Sequence, residues 1–199
     1  MIMYSESECS TRDIDWFVKI GDIYIHGASN GGILPSMITK GQNRQIQQIV
    51  AQMDYLYEDS ENEIYINNGY VEQRLEMAKG LADSQAQYKE KPAVDNISPY
   101  NAYIASFKDM ARKGFYSFDR EIDPTFDKDT QRKFQKRYVL IACPKQLQNN
   151  RLPNIDNIPE IKIKYKANMV REYLKNSPKQ YLSIGLVNLL WERNSKGID

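Results

Sequence analysis

The sequence predicts an α+β domain in which a small, mostly antiparallel sheet packs with about five helices. Three observations carry that prediction. Residues 15–29 read as a β-hairpin, three stretches carry apolar residues at three- and four-residue intervals, and two later runs, 138–143 and 160–166, have the composition of strands.

In the hairpin, WFVKI (16–20) and IYIH (23–26) are rich in β-branched and aromatic residues, and Gly21-Asp22 puts glycine at the first central position of a two-residue turn. Residues 44–58 then place Ile46, Ile49, Val50, Met53, Leu56 and Tyr57 on one stripe of an amphipathic helix. A short strand is expected at 63–67, followed by a helix over 70–89 with Val71, Leu75, Ala78, Leu81 and Ala82 on one side. Ser98-Pro99 marks a further helix, serine as N-cap and proline at the first position, where its missing N–H costs nothing; Gly114 supplies the left-handed stop.

Residues 115–129, aromatic and acidic, read as a loop, and Asp129 as the cap of a short helix leading to the apolar run 138–143, a buried strand closed by Pro144. Residues 146–159 carry asparagines and two prolines and read as irregular. EIKIKYK (160–166) alternates Ile161, Ile163 and Tyr165 with Lys162, Lys164 and Lys166, the pattern of a half-buried strand. A short helix at 169–175 and a last one from Ser177-Pro178 to about Arg193 complete the reading.

A chain of 199 residues suits one domain, or two closely packed lobes with a junction near 91–98. The N-terminus is polar and acidic with no apolar signal core, and no run approaches the roughly 20 apolar residues of a membrane span. A cytoplasmic protein with no membrane partner is expected, with its two cysteines, Cys9 and Cys143, reduced. Charge is unevenly spread. Residues 1–99 hold 8 Lys/Arg against 15 Asp/Glu and residues 100–199 hold 19 against 11, so halves of about −7 and +8 hide beneath a net +1.

The stretch HGASNGG (26–32) contains Gly27-x-Ser29-x-Gly31, the pattern of a hydrolase nucleophile elbow. The single histidine, His26, lies three residues before Ser29, too close for triad geometry, and Pro35 forbids the immediate helix an elbow needs. A phosphate cradle fails as well, for want of P-loop lysine-threonine or dinucleotide spacing. Gly27, Asn30, Gly31 and Gly32 therefore read as a structural turn using positive φ, and His26 as a hydrogen-bonded sheet residue. No metal site and no cofactor are expected. One histidine and two distant cysteines do not make a zinc site, and Asp123, Asp127 and Asp129 lack the glycine and the twelfth-position glutamate of a calcium loop.

Two readings with chemical content remain. Glu160-Ile161-Lys162 places a carboxylate and a cation on one strand face, as the E-x-K element of metal-dependent nucleases does. Arg132, Lys133, Lys136 and Arg137, with Lys162, Lys164 and Lys166, would form a basic surface for nucleic acid or an acidic partner, although lysines on an exposed strand also deter edge-to-edge aggregation. The residues do not decide whether the chain is an enzyme and lean against it. Fourteen tyrosines, two tryptophans and seven methionines, with the charge polarity, favour an interaction protein that contacts other protein subunits head to tail in an oligomer or larger assembly. The Asn-, Gln-, Ile-, Lys- and Tyr-rich composition suggests a phage or mobile-element structural subunit of neck or connector type, placed in the host cytoplasm or the virion. Nucleic-acid binding through the basic surface is the alternative.

Overall fold

The computed structural model describes residues 2–85, 98–121, 137–148, 150–162 and 181–195. In chain order these form α1 (Glu6–Thr11), β1 (Asp15–Ile20), β2 (Ile23–Ala28), α2 (Lys40–Gln52), β3 (Ile64–Ile66), α3 (Asn68–Gln85), α4 (Pro99–Arg112), β4 (Phe115–Arg120), β5 (Arg137–Pro144), β6 (Glu160–Ile161), β7 (Tyr181–Ser183) and α5 (Ile184–Ser195). The α+β class agrees with the sequence reading, and the described residues hold five helices, of which α1 is absent from that reading.

The sheet does not run mostly antiparallel; it is mixed. Among the described residues six strands follow the order β3-β5-β4-β2-β1-β6, and a seventh, β7, pairs with β5 off that path. The hairpin forms in register Ile20↔Ile23, with Gly21 at φ +60° as the turn requires. Beside it, β2 pairs parallel with β4 (His26↔Ser117) and β1 pairs parallel with β6 (Lys19↔Glu160). A parallel neighbour needs a crossover, and α2, α3 and α4 between β2 and β4 supply one. β3 and β7 share the outer edge of β5, β3 on Ala142–Pro144 and β7 on Arg137–Val139.

Residues 115–120, read as loop, are instead the central strand β4, flanked by β2 and β5. Residues 181–183, read as helix, form β7, so the last helix starts at Ile184. The second helix begins at Lys40 and stops at Gln52; the Leu56 and Tyr57 N–H groups both donate to the Arg112 carbonyl (2.8 and 3.0 Å), which pins the following segment to the end of α4. Strand β6 is two residues long; the rest of the alternating run beyond Lys162 lies outside the described residues, as do the short helices expected after Asp129 and at 169–175.

Side-chain alternation buries both faces of the sheet. Trp16, Val18, Ile25, Phe118 and Leu140 face one side, where Ile38 and Ile184 and Val187 of α5 cover them. Phe17, Tyr24 and Phe115 face the other, beneath Ile46 and Val50 of α2, while Phe107 and Ala111 of α4 and Val71 of α3 pack on Ile141. Helix α4 is capped as its sequence dictates: Ser98 Oγ accepts from Asn101 N (3.2 Å), and Gly114 turns the chain at φ +92°.

Candidate functional site

The HGASNGG stretch spans the end of β2 and the turn after it. Gly27 lies within β2, where a Cβ would run into the Trp16 indole. Asn30 (φ +42°) and Gly31 (φ +75°) make the turn. A Cβ on Gly32 would lie 2.5 Å from Arg120 Cδ, so the glycine lets that side chain pass. Ser29 is fully buried; its hydroxyl accepts the Ile14 N–H at 2.7 Å and ties the turn to the start of β1.

His26 partners not Ser29 but Ser117, 2.7 Å from Nδ1, and Asp15, 3.1 Å from Nε2. A carboxylate only accepts, so Nε2 donates to Asp15, and Nδ1 shares a hydrogen bond with the Ser117 hydroxyl. Although burial works to raise it, the Asp15 carboxyl is held below its ordinary value by the His26 hydrogen bond. The residue types match a serine-hydrolase triad, but the geometry inverts it: the carboxylate is half exposed, while Ser117 is fully buried between β2, β5 and the Phe107 side of the core. A nucleophile must reach its substrate. This trio instead satisfies three polar groups where β1, β2 and β4 meet, and Ser117, 91 residues from His26, carries no local signal that could have announced it.

Glu160 of the E-x-K element is held by Lys19 at 2.9 Å, its register partner across the β1–β6 pair, and neither Glu160 nor Ser29 lines the groove described below. Among the described residues no group of three or more His, Cys, Asp or Glu is placed to hold a metal ion. Of the basic set, Arg137 opens β5 and pairs with Glu121 (3.1 Å), and Lys162 is exposed after β6; Arg132, Lys133, Lys136, Lys164 and Lys166 lie outside the described residues, as do the three aspartates at 123–129. Among the described residues no helix is long and apolar enough to cross a membrane.

A concavity among the described residues lies elsewhere. A groove of about 840 Å³ runs between α1 and the 31–38 loop, lined by Tyr4, Glu6, Cys9, Ile33, Leu34 and Pro35 among others. By composition residues 1–13 look like a polar leader. They nevertheless carry the S-x-x-E signature of a capping box, Ser5 to Glu8, which makes a stable first turn of so short a helix. Chain closure does the rest: Met3 bridges Thr39, Lys40 N donates to the Ile2 carbonyl (3.0 Å) and Gly31 N to that of Arg12 (3.2 Å). Burial, reinforced by nearby Glu8, pushes the Cys9 thiol up, so it lines the groove protonated and apolar.

Glu8 locks α1 in place. Its Oε2 meets Lys40 Nζ at 2.7 Å and accepts from Ser5 N and Oγ at 2.9 and 2.8 Å. These contacts, the Lys40 hydrogen bond foremost, lower the carboxyl from 4.5 to about 2. A depressed carboxylate contributes stability above its unfolded pKa and loses it as pH falls through the folded one. Amide protection in α1 should therefore hold above pH 4.5 and decline toward about 2. Glu8→Gln should remove the acid-dependent step; an α1 that loosens with the midpoint of a free glutamate would contradict the lock.

At the opposite face of the same sheet end lies a buried polar cluster. Arg74 Nη2 and Tyr103 Oη both meet Asp119 Oδ2 at 2.7 Å, Arg74 Nη1 donates to the Arg120 carbonyl at 3.1 Å, and the guanidinium stacks 5.2 Å from the Tyr103 ring centroid. These contacts join α3 and α4 to β4. Comparison with known proteins gives no match: no family model fits the chain, and neither a curated protein nor a solved structure is similar to it.

Proposed function

We propose that the chain is a non-enzymatic interaction protein, a subunit of a larger assembly of the neck or connector type of phages and mobile elements, acting in the host cytoplasm or the virion. It joins its neighbours through head-to-tail contacts between surfaces of unlike charge. The observation that carries this reading is the distribution of exposed apolar side chains. Of the seven large ones among the described residues, five (Ile2, Met3, Ile33, Leu186 and Leu189) belong to the N-terminal segment, the groove loop and α5, the elements that cover one face of the sheet. Clustered exposed apolar residues mark a surface meant to be covered, whereas scattered ones mean little. The groups that acyl-transfer chemistry would use, His26, Ser29 and Ser117, are meanwhile occupied inside the sheet.

Mass and shape in solution test the reading. Concentration-dependent association, or binding to the products of neighbouring genes, is expected at low salt and should weaken as salt rises. A chain that stays monomeric at high concentration and low salt, and that its gene neighbours also ignore, is not an assembly subunit.

A further inference from the structure

We propose that the groove beside α1 receives helix α5 of a second copy of this chain, with Leu186 and Leu189 seated against Ile33, Leu34 and Pro35 and Arg193 facing Glu6. The proposal rests on the assembly reading and names the surfaces that carry it. Its ground is that both halves of such a contact, an outward apolar helix stripe and an apolar groove, are present on one chain and complementary in charge.

The donor half is α5. Ile184 and Val187 hold the helix on its own core, and Asn188 Oδ1 accepts from Ser36 N at 2.8 Å, which fixes its rotation. Leu186 and Leu189 are thereby turned outward, and Leu189 is 52% exposed. With Arg193, exposed in the last turn, they stand at i, i+3 and i+7, a single stripe of the kind that amphipathic helices lay into apolar grooves. Gly185 beside them is exposed, and a Cβ there would meet only Ser183 Oγ at 3.5 Å, so another backbone can come close.

The acceptor half is the groove. Its loop wall is apolar, with Ile33 exposed and Leu34 and Pro35 buried behind it, and its rim carries two further exposed apolar side chains, Met3 within the lining and Ile2, 72% exposed, preceding it. The lining contains no Lys or Arg, and its one carboxylate, Glu6, is exposed and has no ion pair among the described residues, whereas neighbouring Glu8 is taken by Lys40. An occupant with apolar side chains and one cation at its end answers that lining. A polyanion does not. The other exposed large apolar residues among those described, Ile49 and Tyr55, belong to α2 and the segment after it, and Arg112 lies over the Tyr55 ring at 3.6 Å, so among the described residues nothing comparable competes. Groove and helix are different elements of one face, joined by the Asn188–Ser36 hydrogen bond, so each copy presents a donor and an acceptor side by side.

Sedimentation of the full-length chain from low to high micromolar concentration tests this, with circular dichroism to verify the fold of each variant. The wild-type chain is expected to self-associate. Leu186→Glu combined with Leu189→Glu should weaken that association at least about tenfold, since apolar anchors at the centre of an interface carry most of its energy. Arg193→Glu and Glu6→Arg should each weaken it by about two- to fivefold, as befits a rim charge pair. The chain carrying both should return close to wild type, because the same two positions then meet with their charges exchanged; independent losses that add would overturn the pairing. Self-association unaffected by the double leucine change would overturn the proposal while leaving the assembly reading to another surface. A monomeric wild-type chain would also overturn it, and the assembly reading itself falls only when the gene neighbours fail to bind as well.

Discussion

Replacing Asp119 by alanine is expected to cost about 3–5 kcal/mol of folding free energy, read by urea denaturation, enough to remove a large share of the stability of a typical domain. The magnitude follows from what remains. Arg74 is almost wholly buried and sits 2.7 Å from Asp119; burial works against its charge, and Asp119, together with the Tyr103 and Tyr70 hydroxyls beside it, more than offsets that. An arginine cannot neutralise itself by releasing a proton. Without Asp119 the cation is stranded, and the Tyr103 hydroxyl, 2.7 Å from the same carboxylate oxygen, loses its acceptor.

The converse change should cost less, and in a pH-dependent way. Burial pushes the Asp119 carboxyl up, so its charge depends on the guanidinium beside it. In Arg74→Met the carboxyl can take a proton and become a neutral buried group. A carboxyl whose folded pKa is raised gives stability below its unfolded value and loses it as pH rises through the folded one. Arg74→Met should therefore be nearest to wild type in mild acid and fall behind as pH increases, while Asp119→Ala should show no such recovery. Equal losses at every pH in the two variants would mean that Asp119 remains ionised without its partner.

This cluster also marks where the sequence stops being legible. The hairpin, α4 and β5 announce themselves because their signals are local: Gly21 between two strand-like runs, Ser98-Pro99 ahead of a helical stripe, and an unbroken apolar run at 138–143. Strand β4 reads FYSFDR, and Ser117 and Asp119 look like loop residues until their partners are known. Those partners, His26, Arg74 and Tyr103, are 91, 45 and 16 residues away. The parallel pairing of β2 with β4 depends on the same long-range closure, as does the groove, whose walls come from both ends of the first 38 residues. The capping box of α1 was legible, since Ser5 and Glu8 stand at their usual spacing; what hid it was the polar character of the segment.

Gly27→Ala should be the most damaging single-methyl change in the HGASNGG stretch, costing about 3 kcal/mol, toward the upper end for an overpacked core. Gly27 occupies β2 opposite Trp16 in the hairpin register, and the added Cβ would occupy the space of the indole's six-membered ring and its nitrogen. The indole has no room to retreat. It is fully buried and packs edge-on against Tyr138, with ring centroids 5.3 Å apart, and Tyr138 is tethered through its hydroxyl to the Ile33 carbonyl at 3.0 Å. The strain would therefore pass from β2 to β5 and to the loop that walls the groove. If that contact is the cause, the cost must depend on the indole: Gly27→Ala should be far milder in a Trp16→Leu background, although Trp16→Leu is itself destabilising through the cavity it leaves. The same loss in both backgrounds would place the damage in the backbone of β2 instead. Ser29→Ala makes the contrast, since it removes one acceptor from the Ile14 N–H and adds no atoms, for an expected cost of about 1–3 kcal/mol. That ordering, glycine above serine, is what a packing element predicts for this stretch, because a nucleophile elbow would make Ser29 indispensable to activity while leaving stability nearly untouched.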